Sequence, residues 1–222
     1  MRPAALLDLD GVLLDSAAAH RNTLAAVATC ATGQRVTAAD LPADALARPR
    51  CAVLAELGVD DPDQACERWW DAALAAASQR SRLFPGVLAG LAALRRAGVA
   101  LAVVTVQERH RLPWLLPADL AALLEVTVTR HDAPPKPAPD GLHLALRRLG
   151  VAHHRALFVG DSITDIHSGH AAGVFTLGAA WGYAGAERLQ AAGAHAIVRR
   201  PRHLAWTIAR LLIRCDPPPA RR

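Results

Sequence analysis

The sequence predicts an α/β fold, a parallel doubly wound sheet with an all-helical segment inserted after the first strand. Three observations predict it. From Phe84 onward, short apolar β-branched runs alternate with helical segments closed by glycine. Between Ser16 and Arg82 the pattern is helical throughout, with no strand signal. Several predicted strands end in polar residues, which a parallel sheet gathers along one edge. A chain of 222 residues that is 52% hydrophobic holds one sizeable domain, or a core with a smaller insert.

The first strand is read over Ala4 to Asp10. Period two places Asp8 and Asp10 on the same side, at its carboxyl end. Two acids that close repel unless a positive group lies between them or one keeps its proton. Ser16 is the expected cap of a helix over Ala17–Ala31, and a second helix is expected over Ala38–Ala47. Pro49 to Gly58 reads as a third helix, proline at its start and glycine at its end. Asp61-Pro62 opens a fourth that reaches about Gln79 and carries Trp69 and Trp70. Together these are long enough to form a small bundle with its own core.

After Phe84-Pro85-Gly86 the reading alternates. Val87–Ala97 is a helix, Val99–Thr105 a strand, and Gln107–Leu116 and Ala118–Leu124 are short helices broken by prolines. Val126–Thr129 is a strand. A proline-rich loop around Lys136 leads to a helix over Asp140–Leu149. Ala156–Gly160 is a strand, Asp165–Ala172 a helix, Val174–Ala180 a strand, Ala186–Ala191 a helix and His195–Val198 a strand. A last helix covers Pro201–Ile213, and Cys215–Arg222 is expected to be a frayed, flexible tail.

Composition narrows the function. No charge-free apolar run approaches the roughly 18 residues of a membrane-spanning helix. The chain goes straight into a strand without a signal-peptide pattern, which favours the cytoplasm. Cys30, Cys51, Cys66 and Cys215 lack C-x-x-C pairing and are expected to be reduced. The net charge of +5 is dispersed, with no basic run interleaved with aromatics, so neither nucleic acid nor membrane is implied as a partner. Of 25 basic residues 24 are arginine, and the only lysine is Lys136. A site that needs a compact ammonium rather than a guanidinium fork explains that exception.

The predicted strand ends carry Asp8 and Asp10, then Thr105, then Lys136 in the following loop, then Asp161 and Asp165. Taken singly, each has an ordinary reading: a strand-end threonine, a loop lysine, acids capping the next helix. Taken together they gather four carboxylates, a hydroxyl and an ammonium on one edge. Hard oxygen donors without Cys or His suit Mg²⁺. An ionised carboxylate can attack phosphorus, while a metal ion, a lysine and a hydroxyl hold the charge of a transferring phosphoryl group. The expected roles follow. Asp8 attacks, Asp10 donates and later accepts a proton, Thr105 and Lys136 hold the phosphate, Asp161 binds Mg²⁺ and Asp165 supports it.

These residues carry a resemblance to the haloacid-dehalogenase-like hydrolase superfamily over nearly the full chain. The matching stretches are Asp8-Leu9-Asp10-Gly11-Val12-Leu13-Leu14-Asp15-Ser16, Thr105, Lys136-Pro137-Ala138-Pro139-Asp140, and Gly160-Asp161-Ser162-Ile163-Thr164-Asp165-Ile166 with Gly169 and Ala172-Gly173. The resemblance implies a Rossmann-like core over 1–15 and 83–214 and a helical cap over 16–82. It also implies an aspartyl-phosphate intermediate on Asp8, with Mg²⁺ held by Asp8, the Asp10 carbonyl and Asp161.

A protonatable Asp10 suits a phosphate ester, whose leaving alkoxide must be protonated. The expected activity is therefore a Mg²⁺-dependent phosphatase on a small phosphorylated metabolite. Gly160-Asp161-Ser162 looks most like phosphoglycolate-phosphatase relatives. A phosphomutase of the β-phosphoglucomutase type is the alternative, and a catalytically idle interaction protein on the same fold is the reading from another class. Gly11, Val106 and Gln107 are expected to face substrate. Val106-Gln107 departs from the small or asparagine residues common after this threonine, and Pro135 replaces a frequent glycine. In the cap, Arg48, Arg50 and His20, with Arg21, are candidates to reach the substrate. The five tryptophans read as core or interface, and the oligomeric state as monomer or homodimer.

Overall fold

The computed structural model describes residues 2–214, so the expectation for the 215–222 tail, and for Cys215 within it, lies outside the described residues. Leu14–Arg82 form one compact unit, and the described residues on either side form the other.

The chain opens with β1 (Ala4–Leu7) and β2 (Leu14–Asp15), followed by α1 (Ala17–Thr32), α2 (Arg50–Glu56) and α3 (Pro62–Ser78). Next come β3 (Arg82–Leu83), α4 (Val87–Arg96), β4 (Ala100–Val104), α5 (Leu112–Leu115), α6 (Ala118–Ala121) and β5 (Val126–Val128). The rest comprises α7 (Asp140–Leu149), β6 (Ala156–Gly160), α8 (Ile163–Ala171), β7 (Phe175–Ala179), α9 (Gly185–Ala191), β8 (Ala196–Val198) and α10 (Leu204–Arg214).

Six strands form one parallel sheet in the order β5-β4-β1-β6-β7-β8. The α/β reading holds, and the order explains where chemistry can sit. From β1 the chain builds outward through β4 and β5 on one side and through β6, β7 and β8 on the other. The order therefore reverses at β1, and the crevice beyond its carboxyl end is where such sheets bind ligands. Register brings Leu7 beside Val103 and Val159, so Asp8, Thr105 and Asp161 all follow within two residues of that level. Every residue of β1, β4 and β6 is buried. A strand covered on both faces reads as a continuous apolar run rather than an alternation. Val104, Val128, Leu142, Leu146 and Phe158 lie in the core cluster between the sheet and α7.

The helical unit has its own core, in which Leu24, Val27, Val53, Leu54, Trp70 and Leu74 are buried. The apolar face of α3 supplies Trp70 and Leu74. Asp61 caps α3, accepting from the Gln64 N–H at 2.9 Å, with Pro62 in the first turn.

Several expectations need correction. β1 stops at Leu7, so Asp8 and Asp10 follow the strand instead of sharing one of its sides. The Asp8 N–H still extends the ladder, donating to the Val159 carbonyl at 2.9 Å. Only Ala45–Ala47 of the expected 38–47 helix is helical, as a 3₁₀ turn. Upstream of it, Asp40 accepts from the Thr37 N–H and hydroxyl, and the Arg21 guanidinium takes the carbonyls of Ala38, Leu41 and Pro42. Those acceptors are the ones a helix would need. The expected helix over Gln107–Leu116 is a 3₁₀ turn at Arg109–Arg111 followed by α5. The Gln107 carbonyl is taken by the Arg130 N–H at 3.3 Å, and the Arg111 N–H bonds Glu108 instead. Strands β2 and β3, two residues each, pair as a separate ribbon where none was expected. Ser16 precedes α1 but makes no side-chain cap bond.

Candidate active site

Asp8, Asp161 and Asp165 bring one carboxylate oxygen each within 4.8 Å of one another, and all three are buried. Two are delivered by strand ends and the third by the helix that follows the second of them. Asp8 follows β1 directly, and Asp161 follows β6. Asp165 stands in the first turn of α8, where Ser162 and Asp165 form a reciprocal capping box. The Asp165 Oδ2 accepts from the N–H groups of Asp161 and Ser162 and, at 2.6 Å, from the Ser162 hydroxyl.

Lys136 enters this cluster from the loop between β5 and α7. Its Nζ lies 2.6 Å from Asp8 Oδ1 and 2.5 Å from Asp165 Oδ1. It also donates to the Val104 carbonyl at 3.3 Å and stands 5.5 Å from the centre of the Phe158 ring. The loop is tied down by Ser168 of α8, whose hydroxyl donates to the Ala138 carbonyl at 2.8 Å. A guanidinium fork would not fit a point between two carboxylates and a carbonyl, which accounts for the solitary lysine.

One ammonium does not neutralise three buried carboxylates. Burial, with repulsion from Asp165 and Asp10, pushes Asp8 upward to about 7 against the opposing pull of Lys136. Burial and repulsion from Asp165 and Asp8 likewise raise Asp161. Burial works against the charge on Lys136, but Asp165 and Asp8 more than offset it and its pKa rises. An all-oxygen donor set with excess buried negative charge fits a hard divalent cation. Outside this cluster Glu108, His110 and His131 also bring ligand atoms within 4.8 Å, but Arg130 and His131 already engage the Glu108 carboxylate.

Two glycines shape the pocket around Asp161. Gly11 has φ +76°, and a Cβ there would lie 2.1 Å from Asp161 Oδ2. A Cβ on Gly182 would lie 2.2 Å from the Asp161 Cβ. The Tyr183 N–H then donates to Asp161 Oδ2 at 2.7 Å. Gly182 and Tyr183 were not among the sequence candidates. Gly182 follows β7 on the edge that carries the other candidates, but that position is set by the sheet and not by a local sequence pattern.

Thr105, buried one residue past β4, accepts from the Gln107 N–H at 3.1 Å, so its own hydroxyl proton remains to donate elsewhere. The Gln107 side chain is also buried, and its Nε2 donates to Asp10 Oδ2 at 2.7 Å. The structure thus sets this residue, expected to face substrate, on Asp10. Val106 is 46% exposed. In the helical unit, Arg48 pairs with Glu56 at 2.7 Å and Asp44 at 3.7 Å. Arg50 stacks over Trp70 at 4.7 Å, and the His20 Nδ1 lies 3.1 Å from the Ser16 carbonyl. Trp70 is a core residue, whereas Trp114 and Trp206 are exposed. Cys30, Cys51 and Cys66 are free thiols.

Comparison with known proteins agrees with this architecture. A phosphoglycolate phosphatase of Cupriavidus necator is 42% identical over 118 residues, 52% of this chain and 51% of its own. The pyrophosphatase PpaX of Bacillus pumilus is 42% identical over 105 residues, 46% of this chain and 49% of its own. The chain thus spans about half the length of the curated relatives it matches. The solved structure of a proposed phosphoglycolate phosphatase from Lactobacillus plantarum aligns with TM-score 0.77 and 25% identity, over 92% of this chain and 98% of that one. A hydrolase structure from Geobacter sulfurreducens, 22% identical over 93% of this chain and 96% of its own, shares the fold with TM-score 0.72. No helix among the described residues is long and apolar enough to cross a membrane. The model of the haloacid dehalogenase-like hydrolases matches residues 3–173, and the chain belongs to that family.

Proposed function

We propose that this protein is a Mg²⁺-dependent phosphatase that hydrolyses a small phosphorylated metabolite through an aspartyl-phosphate on Asp8. One observation carries the reading. The two acids that flank Leu9 meet different partners, Asp8 a cation at 2.6 Å and Asp10 a neutral amide at 2.7 Å. Environments that separate a pair of carboxylates assign a nucleophile and an acid.

Lys136 favours the ionised form of Asp8, and the ammonium with the Thr105 hydroxyl holds the phosphoryl oxygens in line. An Asp8 oxygen forms a bond to phosphorus as the ester P–O bond breaks. The electron pair of that bond goes to the ester oxygen, which takes a proton from Asp10. Asp10, now a carboxylate, removes a proton from the water that attacks phosphorus. The Asp8–phosphorus bond breaks, and phosphate and the starting carboxylate are released. Asp8, Asp161, Asp165 and the Asp10 carbonyl would hold Mg²⁺, which when bound neutralises the charge gathered among these acids and on the phosphate.

The relatives support small phosphate compounds as substrates, phosphoglycolate first and inorganic pyrophosphate second. We assign specificity to the helical unit as a cap, with Arg48, Arg50 and His20 as its candidates, and place a monomer or homodimer in the cytoplasm. The test is phosphate release across a panel of phosphorylated metabolites, by the native chain and by Asp8→Asn. The expected result is Mg²⁺-dependent turnover, stopped by EDTA and lost in Asp8→Asn by at least about a thousandfold. Turnover that survives Asp8→Asn or chelation would overturn the mechanism. Isomerisation of a sugar phosphate without net phosphate release would establish a phosphomutase instead, and a silent panel would leave an idle interaction protein.

A further inference from the structure

The pair that departs from the family pattern, Val106-Gln107, has a structural use. Gln107 sits between two charged side chains. Its Nε2 donates to Asp10 Oδ2 at 2.7 Å, and its Oε1 accepts from the Arg111 Nη1 at 3.3 Å. Gln107 and Arg111 are 5% and 8% exposed. Amide nitrogen and oxygen are normally hard to tell apart, but here the partner decides. Arginine has donors and no acceptor, so the amide oxygen must face Arg111 and the NH₂ must face Asp10. Oδ2 of Asp10 is therefore an acceptor, and a proton on this carboxyl is carried by Oδ1.

The local chain holds this arrangement. The Gln107 N–H is bound to the Thr105 hydroxyl at 3.1 Å and its carbonyl to the Arg130 N–H at 3.3 Å. The Arg111 N–H bonds the Glu108 carbonyl at 3.0 Å, closing the 3₁₀ turn that returns Arg111 beneath Gln107. With its main chain bonded on both sides and its side-chain amide held at both ends, Gln107 keeps its NH₂ on Asp10 Oδ2, and a shorter side chain at this position could not bridge both partners.

We infer that Gln107, backed by Arg111, is a positioning residue that orients the Asp10 carboxyl so that Oδ1 delivers its proton to the ester oxygen. This rests on the phosphatase reading and deepens it. Proton delivery matters most for alkyl phosphates, whose alkoxide is a poor leaving group. It matters least for an activated aryl phosphate, whose phenolate departs unprotonated.

The experiment compares Gln107→Leu and Gln107→Glu with the native chain on p-nitrophenyl phosphate, phenyl phosphate, phosphoglycolate and glycerol phosphate. Gln107→Glu keeps the side-chain shape and its Arg111 partner while replacing the donor to Asp10 with an oxygen. It carries the test should Gln107→Leu fail to fold. The expected result is a fall of about 10- to 100-fold in kcat/KM on the alkyl esters, with p-nitrophenyl phosphate changed by less than about threefold. A pre-steady-state burst of nitrophenolate should grow in both variants, because hydrolysis of the phosphoenzyme also uses Asp10. Equal losses on every ester would show a purely structural role, and undiminished alkyl turnover would remove the role altogether; either overturns the inference alone. Inactivity of the native chain on all four esters would overturn the phosphatase reading and the inference with it.

Discussion

Gly11→Ala should separate the effect of crowding Asp161 from that of backbone conformation. Gly11 and Gly98 share the left-handed region, at φ +76° and +83°, but a Cβ on Gly98 meets nothing within 4 Å. Gly98→Ala should therefore lose only the conformational part, about 1–2 kcal/mol. At Gly11 the new methyl would lie 2.1 Å from Asp161 Oδ2. A carboxylate tip can usually swing aside, but this one is buried, bonded to the Tyr183 N–H at 2.7 Å and flanked by Gly182. Overpacking adds about 1–3 kcal/mol, and displacing Asp161 from its N–H donor about 1.5–3 more, so with the conformational part Gly11→Ala should cost about 3.5–8 kcal/mol in all. Urea titrations of both variants, with matching slopes, give the difference directly. Isothermal titration with Mg²⁺ should show weakened binding in Gly11→Ala alone, and its kcat/KM should fall about 100-fold, as expected for a displaced site group. Equal destabilisation of the two variants, or native Mg²⁺ binding in Gly11→Ala, would refute the reasoning.

Lys136→Met should leave Asp8 and Asp165 buried without their cation and cost the metal-free protein about 3–5 kcal/mol at neutral pH. Mg²⁺ should recover part of that loss in urea titration, and no response to Mg²⁺ would contradict the charge argument. Asp132 is a separate pH probe. Burial works to raise its pKa, but the Thr129 N–H and hydroxyl, Arg148 and Arg109 hold it at about 2. Because the folded value lies below the ordinary one, its stabilisation is complete above the ordinary carboxylate range and is lost as pH falls through about 2. Asp132→Asn should therefore lose stability at neutral pH and show a shallower acid decline than the native chain; parallel declines would remove Asp132 from the account.

The fold was legible where a local pattern and its tertiary use agreed. Ala100–Val104 and Ala156–Gly160 are apolar because both faces of the sheet are covered, and the same run marks them as strands in the sequence. Asp8, Lys136, Asp161 and Asp165 were legible because residue types fix the chemistry and a parallel sheet fixes the edge. Helix propensity failed over Ala38–Ala47, where Arg21 draws the carbonyls into another network. It failed again after Thr105, where the Gln107 side chain bonds Asp10 across a separation of 97 residues and Arg111 bonds Gln107 in turn. Gly182 and Tyr183 escaped notice for a related reason: their contribution is a backbone N–H and an absent side chain, neither of which has a sequence pattern of its own. Two-residue strands such as β2 and β3 are too short to show a period.

The pairing of β2 with β3 has one more consequence. On the core side, the Phe84 N–H donates to the Leu13 carbonyl at 3.0 Å. The helical unit starts and ends on neighbouring strands, and its two ends leave the core at one hydrogen-bonded seam. For the sheet, 69 intervening residues amount to a closed loop, and closure entropy rises only logarithmically with length. An insert can therefore be lengthened, shortened or exchanged between Leu13 and Leu83 with little effect on the strands that hold Asp8 and Asp161. The strands next to Asp8 and Asp161 and the segment between Leu13 and Leu83 are thereby free to diverge on separate schedules within one continuous chain.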